Sequence, residues 1–263
     1  MNFGLEGKVA IITGGSEGIG KASAISMAQE GAHVVICSRN PETLNSAAEE
    51  IRIHSLGKVL AVSADVTDPV QIENVVAQTI TEFGRLDIVV NNAGTSAGSN
   101  FEIVDDEAWQ RDMDLKLFAA IRFSRLSIPH MKESGGGRII NVTNLGGKQP
   151  GANSVPTSVT RAAGIALTKA LSKDLAKHNI LVNTVCIGLI KAGQHERRVL
   201  QLQNENPSLT LESFYTERGE GIPLGRVGEA SEAGDVICFL ASERASYLTG
   251  TSINIDGGTS GAL

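Results

Sequence analysis

The stretch TGGSEGIG at residues 13–20 carries the clearest chemistry in the chain. It follows the apolar run KVAIIT (8–13) and opens a helical pattern. Gly14 permits a tight turn, Gly18 lets the backbone approach a phosphate, and Gly20 lets helix and strand pack closely. The first N–H groups of the helix, with its positive dipole end, then face a pyrophosphate. A glycine cluster alone says little, but the strand–turn–helix context is the one a phosphate cradle needs. Other reactive side chains are sparse. The only tyrosines are Tyr215 and Tyr247. His33, His54, His130, His178 and His195 have no HxH or HExxH spacing, so no metal site is expected. A G-x-S-x-G turn is absent, which argues against a Ser–His–Asp triad. The acidic run DDEAWQRDMD (105–114) reads as a helix start with its carboxylates on the dipole. Cys37, Cys186 and Cys238 form an odd set without CxxC spacing. They read as small buried hydrophobes rather than disulfide or zinc partners, and a cytoplasmic location is expected.

The elements that must position this chemistry follow from periodicity. KVAIIT (8–13), HVVICS (33–38), KVLAVS (58–63), LDIVVN (86–91), RIINVT (138–143), ILVNTVC (180–186) and TSINID (251–256) predict strands. Most are apolar at nearly every position, as strands covered on both faces should be. Helical patterns occupy 18–30, 41–55, 69–83, 106–133, 157–178 and 229–242, with Pro41 and Pro69 in first turns. Such alternation predicts one α/β domain over 1–263, doubly wound, with a parallel sheet of about seven strands. The polar stretch 191–222 breaks the alternation and is expected to be a lid or substrate loop beyond a strand end. With 41% hydrophobic residues and a net charge of −6, the chain can build a large core and shows no basic footprint for nucleic acid. No run approaches the roughly 18 apolar residues of a membrane span, and no secretory leader is evident.

TGGSEGIG, NNAG at 91–94 and the DGG at 256–258 together resemble the short-chain dehydrogenase/reductase family over nearly the whole chain. The resemblance implies a Rossmann-type fold and a dinucleotide. Gly14, Ser16, Gly18, Ile19 and Gly20 would cradle its phosphates. Asp65, beside Val66, would hold the adenine, and Asn92, Ala93 and Gly94 would line the nucleotide. Arg161 would grip the nicotinamide ribose. In CSRN (37–40), Arg39 stands where an Asp would bind the ribose hydroxyls of NAD. A guanidinium there suits a 2′-phosphate, so NADP(H) is favoured over NAD(H). Glu17 opposes this, because relatives that prefer NADP often carry a cation at that place.

The same resemblance assigns four catalytic places, and all four are changed here. Asn144 in IINVTN stands for the family's serine, Thr157 for its tyrosine, Arg161 for its lysine and Lys116 for its asparagine. Ile187 and Ala192 in IGLIKA replace the proline and threonine of the nicotinamide contact. A threonine hydroxyl is too weak an acid to take the place of a tyrosine tuned towards neutrality. Arginine keeps its charge but stays protonated near neutral pH. Asn144 can still donate to a carbonyl.

Three functions stay open at this stage. An atypical NADP(H)-linked oxidoreductase could act on a carbonyl or alcohol with a substitute acid, Tyr215 or His195 of the lid among the candidates. A non-redox enzyme could use Lys116 and Arg161 on an anionic carbonyl compound for retro-aldol, decarboxylation, elimination or C–C hydrolysis, with Arg161 depressing the Lys116 pKa. A non-catalytic protein could bind nucleotide without using it. The alternative for Lys116 is to face solvent from its helix. A small-molecule substrate, no nucleic acid or membrane partner, and a homodimer or homotetramer through 106–133, 157–178 and the last strand are expected.

Overall fold

The computed structural model describes residues 2–262. Seven strands are covered on both faces by helices: β1 (Val9–Thr13), β2 (His33–Ser38), β3 (Val59–Ser63), β4 (Ile88–Asn91), β5 (Gly137–Asn144), β6 (Ile180–Ile187) and β7 (Ser252–Ile255). All pair in parallel in the order β3-β2-β1-β4-β5-β6-β7. The chain reverses its direction of travel between β1 and β4, which opens a crevice above their C-terminal ends. Strand alternation sorts the core into two halves. Ala10 and Ile12 pack with Met27, Ala47, Ile51 and Ile237 on one face. Val9 and Ile11 pack with Ile72, Val75, Phe123 and Leu175 on the other.

The helices on the first face are α1 (Gly18–Gln29) and α2 (Pro41–His54), joined near the chain end by α9 (Ala230–Ala241). The second face is covered by α3 (Pro69–Phe83), α5 (Ala119–Glu133) and α6 (Thr157–Leu175). Local chemistry starts them where the sequence suggests. Asn40 accepts the N–H groups of Glu42 and Thr43, Asp68 accepts that of Val70, and a proline follows each cap.

Two segments differ from the sequence expectation. The single helix expected over 106–133 is α4 (Asp106–Met113), then a π-helical turn (Asp114–Phe118), then α5. A π turn inserts one extra residue per bond, so side chains after it face a different direction from an unbroken helix. Lys116 lies on that turn. The lid expected over 191–222 contains α7 (Gly193–Leu202) and α8 (Leu211–Gly219), the latter opened by a reciprocal Thr210–Ser213 capping box. These helices bury only Val199 and, on α8, Phe214 and Gly219. Among the described residues no helix is long and apolar enough to cross a membrane, and no cluster of metal-ligating side chains occurs.

Candidate active site

The turn after β1 and the NNAG turn after β4 are tied into one platform. The Thr13 hydroxyl accepts the N–H groups of Asn92 and Ala93 at 2.9 Å each. Asn92 Nδ2 donates to the carbonyls of Thr13 and Gly14 at 2.9 and 3.2 Å. Gly14 and Gly18 have φ of 64° and 55°, which favour glycine. A Cβ on Gly20 would run into the Gly14 carbonyl oxygen and lie 2.5 Å from Asn92 Nδ2.

Above this platform opens a cavity of about 450 Å³. Gly14, Ser16, Gly18, Ile19, Arg39, Asp65, Val66, Asn92, Ala93, Gly94 and Arg161 all line it, while Gly20 lies beneath as packing. One Asp65 oxygen accepts the Thr67 N–H and hydroxyl at 2.9 and 2.8 Å; its other oxygen has no protein partner among the described residues. The Arg39 guanidinium lines the same cavity and makes no ion pair or hydrogen bond among the described residues. Glu17 does the opposite of what its place suggests. Its carboxylate is held by Arg197 of α7 through two bonds of 3.0 and 2.7 Å, and this pairing lowers its pKa.

At the far end of the cavity, β5 and β6 finish side by side with Asn144 opposite Ile187. Asn144 lines the cavity, and its Oδ1 is buried without a partner. Arg161, on α6, also lines it. Arg161 Nη1 donates to the Val142 carbonyl at 2.6 Å, while its buried Nε has no partner. Burial lowers the Arg161 pKa to about 10, against the opposing pull of Asp112 and Cys186, so it remains a cation at neutral pH.

Lys116 and Thr157 stand behind this wall rather than in it. The Lys116 side chain is 1% exposed and is paired with Asp112, itself 2% exposed. Lys116 Nζ also donates to Thr157 Oγ1 at 2.9 Å, and that oxygen accepts the Ala97 N–H at 3.0 Å. Burial, and next the Arg161 cation, lower the Lys116 pKa to about 8, while Asp112 holds it up. Lys116 thus faces inward and not to solvent. Gly94 makes room for the pair: a Cβ there would lie 2.7 Å from Arg161 Nη2 and 3.5 Å from Lys116 Cγ. Asp112 was missed by sequence reasoning. Its one signal was the four-residue spacing to Lys116, which sets two helical side chains on one face.

Segment 191–222 presents a separate cluster. Ala192, Gln194, His195 and Arg197 line the cavity from above. Tyr215 does not; its hydroxyl lies 3.5 Å from His195 Nδ1, with Lys191 over its ring at 5.5 Å. Burial raises the Tyr215 pKa, and burial followed by the Arg218 cation lowers that of His195. The structure therefore brings Asn144, Thr157, Arg161 and Lys116 together and leaves Tyr215 apart from them.

The family model described as Enoyl-(Acyl carrier protein) reductase matches residues 14–260. The chain is 35% identical over 254 residues to 3-oxoacyl-(acyl-carrier-protein) reductase FabG of Thermotoga maritima, covering 97% of this chain and 98% of that one. Among solved structures it is similar to L-sorbose reductase from Gluconobacter frateurii complexed with NADPH and L-sorbose, at 35% identity, TM-score 0.96 and full coverage of both chains. It is also similar to a short-chain oxidoreductase from Pseudomonas aeruginosa PAO1 described as containing an atypical catalytic center, at 33% identity and TM-score 0.91, over 99% of this chain and 100% of that one. With a matching model across almost its whole length and relatives above 30% identity, the chain belongs to the short-chain dehydrogenase/reductase family.

Proposed function

We propose that the protein is an NADP(H)-linked oxidoreductase that acts on a small carbonyl or alcohol compound without a tyrosine acid. The observation that carries this reading is a single cavity with the glycine cradle and an unpaired Arg39 at one end, and Asn144 beside Arg161 at the other. The residues present fit the dinucleotide. The turn that forms the cradle depends on close packing beneath it, where a Cβ on Gly14 or Gly20 would crowd Asn92, and Asp65 keeps one oxygen free. A free guanidinium suits a 2′-phosphate through paired, charge-assisted bonds. The relative complexed with NADPH supports the same choice.

When bound, the dihydronicotinamide supplies the hydride for the carbonyl carbon. The chain's own residues handle the oxygen. Asn144 donates a hydrogen bond to it, and the Arg161 cation stabilises negative charge as it develops. Lys116 is a proton reservoir behind the wall: it is joined to Thr157 by its hydrogen bond and poised near neutrality by burial and Arg161, and its proton reaches the alkoxide by relay through the Thr157 hydroxyl and a water in the cavity. Because Lys116 must be protonated to give a proton, the reduction rate falls as pH rises through about 8. The amine does not line the cavity and is held by Asp112, which favours proton transfer over imine formation with a substrate. Arg161 also suits a substrate with an anionic group near its carbonyl. A homodimer or homotetramer fits the exposed Phe118 and Val159 near α5 and α6 and the open edge of β7.

Calorimetric titration with NADPH, NADP⁺, NADH and NAD⁺ tests the reading, followed by a carbonyl panel scored by NADPH oxidation. Micromolar binding of the NADP(H) pair is expected. In Arg39→Ala that binding weakens by about 30-fold or more, the worth of a paired charge-assisted contact, while NADH binding barely changes. No binding of any dinucleotide would refute the redox reading.

A further inference from the structure

The lid meets the glycine cradle at one point. Ala192 and Gly193, at the start of α7, lie on the turn that carries Glu17 and Gly18. A Cβ on Gly18 would touch the Ala192 Cβ at 3.5 Å, and a Cβ on Gly193 would collide with the Glu17 carboxylate. On that contact Arg197 grips Glu17 in a fork-to-fork pair that joins residues 180 apart in sequence. Both residues line the cavity above the cradle. Glu17 is the N-cap residue of α1, but its side chain makes no capping hydrogen bond, and among the described residues its only side-chain partner is Arg197.

We infer that the Glu17–Arg197 pair is a clasp that fixes the lid over the cradle and sets dinucleotide affinity, Arg197 supplying from the lid the cation that the glycine turn lacks. A carboxylate beside a pyrophosphate and a 2′-phosphate repels both. A bidentate guanidinium cancels that charge and keeps the carboxylate turned towards the lid. The clasp also makes cofactor residence depend on lid position: opening α7 takes Arg197 away and uncovers the Glu17 charge. The affinity part rests on the NADP(H) reading; the lid part does not.

The sign pattern of a double-mutant cycle tests it. In Arg197→Ala the Glu17 charge is uncovered, and the Kd for NADPH rises about tenfold, the effect expected of one unscreened charge near the surface. The rise for NADH is smaller, because NADH lacks the 2′-phosphate. Glu17→Ala binds NADPH at least as well as the parent protein. The double variant returns to within about threefold of it, because the repelling charge has gone as well. A double variant as weak as Arg197→Ala, or an Arg197→Ala protein that binds like the parent, overturns the affinity role.

Hydrogen exchange of the α7 amides is the second readout and needs no nucleotide. Both single variants should exchange about fivefold faster over 193–202, the loss of one surface ion pair. Unchanged exchange overturns the clasp. A parent protein that binds no dinucleotide refutes the redox reading, while the exchange rates still decide the clasp.

Discussion

Replacing Asp112 with Asn removes the one counter-charge that holds Lys116 in the protein interior. The Lys116 side chain is 1% exposed, Asp112 is 2% exposed, and the Arg161 cation lies nearby. Breaking a buried pair by deleting one partner typically costs about 3–5 kcal/mol. Here the loss stays near the lower end, because Lys116 can shed its proton. Its pKa is already lowered from 10.5 to about 8 with Asp112 present, and without Asp112 it falls further. An expected loss of about 3 kcal/mol at pH 7 lowers the melting temperature by roughly 10 °C in a chain of this size.

The pH dependence of that loss is the sharper test. In the variant the folded protein holds Lys116 neutral near pH 7 while the unfolded chain keeps it protonated up to 10.5. Unfolding then takes up a proton, so stability rises with pH, by about 1.4 kcal/mol per pH unit. In the parent protein the same rise begins only above about 8. The gap between the two therefore narrows by about 1.4 kcal/mol from pH 7 to pH 8 and is steady above that. Urea denaturation between pH 6.5 and 9.5 measures it. Replacing both residues, Asp112→Leu with Lys116→Met, should recover stability to within about 1 kcal/mol of the parent. If reductase activity is found, the alkaline limb of its pH profile moves to lower pH in Asp112→Asn. A gap below about 1 kcal/mol, or one that ignores pH, would refute the account of Lys116 as a buried cation kept charged by Asp112.

Gly20→Ala should abolish tight dinucleotide binding and lower thermal stability, because the new methyl collides with the Gly14 carbonyl and crowds Asn92; calorimetry and a melting curve check it. Restoring the family's residues with Asn144→Ser, Thr157→Tyr and Arg161→Lys should give no carbonyl reduction alone, since Lys116 and Asp112 already occupy the hydrogen bonds around residue 157. Adding Lys116→Asn should bring NADPH-dependent reduction of a carbonyl panel. No activity from the four changes together would refute the tetrad as the sole block and point to the altered nicotinamide contact at Ile187 and Ala192.

The seven strands and a doubly wound parallel sheet were legible in the chain itself, though not the order of the strands. Runs such as VAIIT and HVVICS are apolar on both faces, and that pattern fits a strand covered on both sides. The cradle was legible for a similar reason: its glycines answer to local backbone needs, a positive φ at Gly14 and Gly18 and a missing Cβ at Gly20. The direction of Lys116 was not. An unbroken helix and one with a π turn have the same composition, and only packing against α6 decides which face meets Thr157. Helices α7 and α8 were not legible, because so few of their side chains are buried. Glu17 read as a charge hostile to phosphate until folding brought Arg197 to it, since no local pattern records a partner 180 residues away. Local periodicity reports on what a segment buries; which charges meet is decided by how distant segments pack.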